Sequence, residues 1–335
     1  MATIVDVARL AGVSPATVSR LLNKNGAVAP ETADKIWKAV RETDYSVNET
    51  ARSLRLKNKS GKVEKQAIDC MFARSIDSFI DPFFLELIHV IEPEIFNYDY
   101  RLRYQYVGSD VPSLLSSADN KKNSVFILGR VDNARLTMLK NFYHNLVYVG
   151  LQDLDIDIDR IICSGYEASA KAVDYLISLG HRKICYLGET NNEQRYMAYM
   201  DVINNNKAIG CTEYTINVEF SPSDSYSKVK AEIKKGADFT AIFCANDISA
   251  FGVLQALKEC KLSVPRDISV IGLNDVESVR YLDPMLTTVK VPIEEMGKQA
   301  AHIMIDRIEG RHRLPTKIIL PYQLVERETC MPPRK

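Results

Sequence analysis

Several side chains in the first 23 residues carry the groups needed to contact nucleic acid. Arg20 can donate two hydrogen bonds to the O6 and N7 atoms of guanine. Pro15 and Ala16 can offer only apolar contact, for example to a thymine methyl group. Hydroxyl and amide groups contact phosphates and so position a protein without specifying a base sequence. Three neighbouring residues carry such groups: Thr17, Ser19 and Asn23.

Three short helices are predicted for the segment that holds these side chains. Apolar residues recur at i, i+3, i+4 and i+7 over 4–11, and Gly12 ends this helix. Ser14 followed by Pro15 is an N-cap with proline at the first helical position. A third helix begins at Pro30. This pattern is typical of a helix-turn-helix unit, whose second helix lies in the major groove of DNA.

The charge distribution also favours a DNA-binding head. The 335 residues include 43 Lys and Arg against 43 Asp and Glu, so the whole chain has no net charge. Residues 1–65, however, hold twelve Lys and Arg against seven Asp and Glu. A small basic head is therefore joined to a larger, mildly acidic body.

The run IVDVARLAGVSPATVSRLLN at 4–23 strongly resembles the DNA-binding head of the lactose-repressor/galactose-repressor (LacI/GalR) family of transcription regulators. The resemblance implies that Pro15, Ala16 and Arg20 read bases, while the hydroxyl and amide residues named above contact phosphates. An ordinary solvated side chain is the alternative for Arg20. In this family two heads read the two halves of a palindromic double-stranded DNA operator.

The next segment, YSVNETARSLR at 45–55, resembles the family's hinge helix and leads into a polar, basic linker. Paired hinge helices lie in the minor groove, and the position of Leu54 is that of an apolar wedge between base pairs. A core leucine packed on the third helix is the alternative. The resemblance implies further DNA contacts from three residues of this segment: Asn48, Ala51 and Arg55.

From residue 66 onward short apolar runs alternate with helical segments. Strands are predicted over 67–73, 101–107, 125–128, 146–149, 183–187, 214–218, 240–244, 268–273 and 318–320. Helices are predicted over 82–97, 166–179, 191–206, 223–235 and 248–260. Such alternation builds parallel sheets with helices on both faces, and this many units implies two lobes. Ligands of such sheets bind at the carboxyl ends of the strands, so two facing lobes form a cleft.

The body repeats the family resemblance in several runs, which include GYEASA at 165–170, LISLGHR at 176–182, ANDI at 245–248 and VPRDISVIGLND at 264–275. The implied fold class is an all-α helix-turn-helix head plus an α/β, two-lobed, periplasmic-binding-protein-like body with parallel sheets and helices on both faces. The implied divisions are a head (1–46), a hinge and linker (47–65) and an effector-binding and dimerisation body (66–335). Within the body, lobe one comprises 66–160 plus 290–322, and lobe two comprises 161–285.

The resemblance also places an effector site in the cleft. Arg195, Asn246 and Asn274 match family positions that hydrogen-bond sugar hydroxyls, and Phe220 falls where an aromatic ring stacks on the ligand. In lobe one, the run DPFF at 81–84 resembles the family's Asn-Pro-Phe-Phe, which implies effector contacts from Asp81 and Phe83. The alternatives are a surface arginine at 195, turn residues at 246 and 274, and a core residue at 220.

Two departures change the expected wall of this cleft. Asp81 replaces the usual asparagine, and Gly150-Leu151 replaces a polar residue that is often followed by arginine. Arg74 and Arg130, each just after a strand of lobe one, are the predicted replacements, with solvated arginines as the alternative. We expect a saccharide effector that controls operator affinity in a repressor of carbohydrate utilisation. A non-sugar effector such as a purine or nucleoside, or no effector at all, is the alternative.

No motif supports catalysis, a cofactor or a metal. The chain contains no G-x-G-x-x-G, P-loop, H-E-x-x-H or G-x-S-x-G motif, and its five histidines lack metal-binding spacing. Seven scattered cysteines without a C-x-x-C pair predict reduced thiols.

Without a signal peptide or an apolar run of about 18 residues, a cytoplasmic protein with no membrane contact is expected. No leucine heptads follow the last predicted strand, so we expect a homodimer rather than a tetramer.

Overall fold

A computed structural model of the chain describes residues 4–22, 30–43, 66–72, 81–106 and 122–334. The chain divides into two compact units, Met1–Glu64 and Lys65–Lys335. No helix among the described residues is long and apolar enough to cross a membrane.

The first unit contains three helices: α1 (Ile4–Ala11), α2 (Pro15–Leu22) and α3 (Pro30–Thr43). Gly12 has a φ of 67°, a left-handed conformation that suits glycine and ends α1. The backbone N–H of Thr17 donates to the Ser14 hydroxyl at 3.1 Å, so Ser14 caps α2 as predicted. Apolar residues from all three helices form one small core: Val7, Ala8, Ala11, Val18, Ile36 and Ala39.

The second unit contains two six-stranded sheets. The first has the order β11-β5-β4-β3-β1-β2. Its strands are β1 (Gln66–Phe72), β2 (Tyr100–Tyr106), β3 (Lys122–Leu128), β4 (Tyr143–Gly150), β5 (Asp159–Cys163) and β11 (Lys317–Leu320). Helices α4 (Pro82–Phe96), α5 (Asn133–Phe142) and α10 (Ile293–Ile308) pack against it. These elements form lobe one.

The second sheet has the order β12-β10-β9-β8-β6-β7. Its strands are β6 (Lys183–Gly188), β7 (Thr212–Asn217), β8 (Ala241–Cys244), β9 (Ser269–Asn274), β10 (Thr287–Lys290) and β12 (Gln323–Val325). Helices α6 (Gly165–Ser178), α7 (Gln194–Asn205), α8 (Pro222–Lys234) and α9 (Asp247–Glu259) belong with it, as do short 3₁₀ turns at Lys207–Ile209 and Glu277–Tyr281. These elements form lobe two.

The two sheets are built almost wholly from parallel pairs, since β10 with β12 is the antiparallel exception among the described strands. The central strands are buried on both faces because helices cover both sides, which explains their unbroken apolar runs. This arrangement confirms the predicted fold class of the body.

The chain passes between the lobes three times. The first connection follows β5, the second lies between β10 and α10, and the third joins β11 to β12. Strand β5 runs to Cys163, so the first sheet includes residues beyond the predicted lobe boundary at 160. Likewise, β12 follows the strand predicted to be the last, and its antiparallel pairing with β10 places it in lobe two.

The residues after β12 pack on lobe two around a buried histidine. His181 Nδ1 lies 2.8 Å from Thr240 Oγ1, and Nε2 lies 3.1 Å from Ser269 Oγ and 2.9 Å from the Met331 carbonyl oxygen. Burial lowers the pKa of His181, which favours the neutral ring. The imidazole therefore ties the carboxyl-terminal segment to the second sheet, a structural role.

Candidate effector cleft and DNA-binding head

The carboxyl ends of strands from both sheets meet at a cavity between lobe one and lobe two. The cavity has a volume of about 60 Å³, counted as the space in which the centre of a water molecule can lie. It is lined by Asp81, Phe83, Phe84, Gly129, Arg130, Tyr148, Leu151, Gln152, Gly165, Glu193, Gln194, Arg195, Phe220 and Asn274. Five of the six residues predicted for the effector site line this cavity, and the sixth, Asn246, contacts Asp81 directly.

Asp81 and Asn246 are the N-caps of helices in different lobes. Asp81 Oδ1 accepts from the backbone N–H of Phe83 at 3.0 Å and so caps α4. Asn246 Oδ1 accepts from the backbone N–H of Ser249 at 3.1 Å and so caps α9. Asn246 Nδ2 then donates to Asp81 Oδ2 at 2.8 Å across the cleft. Both side chains are therefore engaged with protein groups, and the turn role considered for Asn246 is the one present.

Arg195 is only 12% exposed and is paired within its own lobe. Its Nε and Nη2 atoms donate to the two carboxylate oxygens of Glu193, each at 2.9 Å, and Nη1 donates to the Ala245 carbonyl at 2.8 Å. Burial alone would raise the pKa of Glu193, but the Arg195 guanidinium holds it below its ordinary value. The guanidinium carbon lies 4.4 Å from the centre of the Phe220 ring, a cation–π distance. Arg195 is thus not the surface arginine considered as an alternative.

Asn274 presents the one polar side chain of the cavity wall that lacks a partner among the described residues. It ends β9 with a φ of 124° and is 2% exposed, and its Oδ1 atom has no hydrogen-bond donor. A buried acceptor without a donor costs free energy. The site can therefore satisfy Asn274 by taking a ligand that donates an N–H or O–H group.

Aromatic rings replace the missing polar pair on the wall formed by lobe one. Phe83 and Phe84 pack edge to face with their ring centres 5.1 Å apart. Tyr148 is buried at the end of β4, and a Cβ atom at Gly150 would lie 2.5 Å from its hydroxyl oxygen. Gly150 therefore provides the space that the tyrosine occupies, because residues two apart share one side of a strand.

Lobe two repeats this arrangement at the end of β6. Tyr186 donates its hydroxyl hydrogen to the Glu189 carbonyl oxygen at 2.9 Å, and a Cβ atom at Gly188 would lie 2.7 Å from the Tyr186 oxygen. The sequence signal for both sites is a Tyr-x-Gly motif, at 148–150 and at 186–188. Sequence analysis missed Tyr148 as a cleft residue, although this repeated motif could have indicated it.

Arg130 lines the cavity, and its side chain is 29% exposed. Its guanidinium reaches from lobe one to lobe two, where Nη1 lies 2.6 Å from Glu189 Oε2. The other predicted replacement, Arg74, lies outside the described residues.

The predicted DNA-reading residues lie in and beyond α2. Pro15 is exposed at the start of this helix, and the Thr17 hydroxyl lies 2.9 Å from that of Ser14. Ala16, Ser19 and Arg20 lie within α2, for which the structure describes the backbone at these positions. The remaining predicted DNA contacts fall outside the described residues: Asn23, Asn48, Ala51, Leu54 and Arg55.

Among the described residues, no group of His, Cys, Asp or Glu side chains could hold a metal ion. Burial raises the pKa of several thiols, including Cys70 to about 12, so these cysteines are protonated and poorly reactive.

Comparison with known proteins adds independent support for the fold and the head. Residues 3–48 match the family of bacterial regulatory proteins, lacI family, and residues 173–330 match a periplasmic binding protein-like domain. The HTH-type transcriptional repressor PurR of Erwinia tasmaniensis is 30% identical over 342 residues, which cover 98% of this chain and 97% of the relative. PurR of Escherichia fergusonii is 30% identical over 340 residues, with the same coverage of both chains.

Solved structures share the fold over nearly the whole chain. The lac repressor dimer bound to operator and the anti-inducer ONPF has a TM-score of 0.67 at 22% identity, covering 98% of this chain and 99% of that one. The complex of the transcriptional regulator CelR with cellobiose has a TM-score of 0.67 at 21% identity, covering 98% and 100%. At these identities the likeness shows the fold.

A helix-turn-helix head and a two-lobed α/β body together define a DNA-binding transcription regulator with a periplasmic-binding-protein-like body. The chain belongs to the LacI family. This family consists of regulators rather than enzymes.

Proposed function

We propose that this protein is a cytoplasmic transcriptional repressor that binds a palindromic operator as a homodimer and responds to a small effector in the interlobe cleft. The relatives with 30% identity are named repressors, and the lac repressor likeness is to a dimer bound to operator. The observation that carries the effector part is the unpartnered Asn274 Oδ1 atom in the wall of a cavity between two lobes.

The proposal divides the chain into the head (1–46), the hinge and linker (47–65) and the body (66–335). In the head, Pro15, Ala16 and Arg20 read bases, while Thr17, Ser19 and Asn23 contact phosphates. In the hinge, Leu54 is the apolar wedge, with Asn48, Ala51 and Arg55 beside it. Effector binding favours one arrangement of the two lobes and thereby changes the fit of paired heads and hinges to DNA.

The cleft must open to admit an effector. Sites for small molecules typically enclose roughly 300 Å³ or more, whereas this cavity holds about 60 Å³. Opening separates Asp81 from Asn246, which frees two side chains for ligand contacts. A saccharide would then meet Asn246, Asn274 and Arg195 with its hydroxyl groups.

A purine or nucleoside is the second candidate effector, and the aromatic wall favours it over a saccharide. Phe83, Phe84, Tyr148 and Phe220 line one small cavity, and flat heteroaromatic rings pack well against such faces. Arg195, one of the three groups predicted to bind sugar hydroxyls, is bonded to Glu193 and Ala245 of its own lobe, and opening of the cleft leaves these bonds in place. Asn274 would accept a hydrogen bond from a ring N–H or an amino group.

Fluorescence anisotropy tests both halves of the proposal. Labelled palindromes from the DNA upstream of the gene and random DNA are titrated with full-length protein at about 50 mM and about 200 mM salt. The panel contains mono- and disaccharides, purine bases and nucleosides. We expect selective, salt-sensitive binding that one class of compound alters. Selective binding that no compound alters would refute the effector part, and no selectivity would refute the operator part.

Arg20→Ala identifies the reading residue in the same assay. Losing bidentate contact with guanine should weaken operator binding by about tenfold or more and leave random DNA nearly unaffected. Arg9→Ala is the matched control, since Arg9 lies on α1 and pairs with Asp6 at 2.8 Å. An equal loss on operator and random DNA for Arg20→Ala would contradict its role.

A further inference from the structure

Arg130 makes more contacts between the lobes than any other described side chain of the cleft. Its Nη1 atom donates to Glu189 Oε2 at 2.6 Å and lies 3.6 Å from Glu193 Oε2. Its Nη2 atom donates to the Asn192 carbonyl oxygen at 3.0 Å and also to that of Asn191. One side chain of lobe one thus contacts four acceptor oxygens of lobe two, all of which belong to residues 189–193.

The loop 189–193, between β6 and α7, forms a socket shaped for a guanidinium group. Asn192 has a φ of 50°, which turns two successive carbonyl groups toward the same cation. A guanidinium is planar and carries five N–H donors in a fixed fork, so it can satisfy a carboxylate and two carbonyls at once. An ammonium group has three donors on one atom and cannot reach all of them.

We propose that Arg130 and the 189–193 socket form a latch that closes lobe one on lobe two without any ligand. Every contact in the latch joins groups of the protein itself. Opening of the cleft must break all of them, because the guanidinium and its acceptors belong to different lobes.

The latch is strong because several acceptor oxygens bind the same guanidinium group, and not because of one ion pair. Arg130 is 29% and Glu189 is 30% exposed, and a single ion pair at this exposure contributes little to stability. Charge-assisted hydrogen bonds from one immobilised side chain share the entropy cost of holding it. Among the described residues, the latch acts together with other contacts across the cleft. Asn246 Nδ2 donates to Asp81 Oδ2 at 2.8 Å, and the Glu277 backbone N–H donates to Glu86 Oε1 at 2.9 Å. The Gln194 side chain also exchanges two hydrogen bonds with the Asp153 backbone, each at 3.2 Å.

The Glu277 contact provides a remote reporter for the latch. The Glu277 amide donates to a side chain of the opposite lobe, so it exchanges with solvent when the lobes separate. Glu277 follows β9, whereas the socket follows β6. A purely local change in the 189–193 loop would therefore not alter exchange at Glu277.

Hydrogen exchange by mass spectrometry on the full-length protein, without DNA or added ligand, tests the latch. Arg130→Gln should speed exchange at the Glu277 amide about tenfold. Arg135→Gln is the matched control, because Arg135 lies in the same lobe and pairs at 3.2 Å with Asp132 of that lobe. It should leave the Glu277 amide unchanged.

Two results would overturn the proposal. One is unchanged exchange at Glu277 in Arg130→Gln, and the other is faster exchange confined to the 189–193 loop. If Arg130→Gln fails to fold, as judged by circular dichroism, Arg130→Lys carries the test. The lysine variant should show an intermediate increase at Glu277, and wild-type exchange there would refute the latch. The test uses neither operator nor effector, so its outcome is independent of the proposed function.

Discussion

Asp81 and Asn246 each cap a helix in a different lobe and are hydrogen bonded to each other at 2.8 Å. Each side chain divides its two polar atoms between its own helix and the opposite lobe. Movement of the lobes therefore changes the environment of two helix N-termini at the same time. The resemblance to the family implies asparagine at the position of Asp81, so the carboxylate departs from the implied pattern.

The variant Asp81→Asn should weaken the closed cleft. Asn246 must use its Oδ1 atom to cap α9, so it presents an N–H donor to residue 81. Asparagine has one acceptor atom and cannot serve both Phe83 and Asn246, which removes one of two buried hydrogen bonds. We expect the free energy of unfolding, measured by urea denaturation, to fall by about 1 kcal/mol.

A matched control for this variant is Asp132→Asn. Asp132 caps α5 through the Arg135 backbone N–H at 2.8 Å but is more than half exposed. The control should change the free energy of unfolding by less than about 0.5 kcal/mol. Equal effects of the two substitutions would show that the bond between Asp81 and Asn246 contributes nothing beyond helix capping.

The stability of the body should depend on pH through Asp247. This carboxylate is fully buried, and burial raises its pKa to about 7, with a further increase from Asp275 and Asp81, although bonds from Thr288 and Val276 oppose the shift. A folded-state pKa above the unfolded one means that the contribution to stability is complete below about pH 4. It is lost as the pH rises toward 7.

The variant Asp247→Asn removes this titration. Between pH 4 and pH 7 the wild type should lose stability relative to the variant. The difference in their free energies of unfolding should change by up to about 1.4 kcal/mol per pH unit. Urea denaturation at several pH values in this range measures the difference. A constant difference across the range would show that Asp247 stays in one protonation state.

The hinge prediction concerns Leu54, which lies outside the described residues. Leu54→Ala should weaken binding to the operator by about tenfold or more and binding to random DNA far less, because an apolar wedge acts at one base step. Leu56→Ala, two residues along the predicted linker, serves as the control in the same anisotropy assay. Equal losses on both DNAs for Leu54→Ala would exclude the wedge.

Local signals in the sequence predicted the elements but not their contacts across the cleft. Ser14 was identifiable as a cap because proline follows it, and five of the seven described helices of the body were identifiable from their periods. Helices α5 and α10 were not predicted, although α10 has 16 residues. Strands β5, β10 and β12, with five, four and three residues, were not predicted, whereas β8 and β11, each of four residues, were.

The pairing of Arg130 with Glu189 could not be predicted from sequence. These residues are 59 positions apart, and their contact depends on how two separately formed sheets face each other. The effect of Gly150 was only half predicted. The loss of a polar pair from the cleft wall was evident from the sequence. That Tyr148 occupies the space beside Gly150 could not be seen without knowing which side chains point into the cleft.

The three connections between the lobes have a consequence for biosynthesis. Strand β11 pairs with β5, and β12 pairs with β10, so the final edge of each sheet comes from residues 317–325. A ribosome releasing the chain from its amino terminus completes neither lobe until these strands emerge. The last few strands therefore close both lobes almost together, and the nascent body keeps two open sheet edges until residues 317–325 have been made.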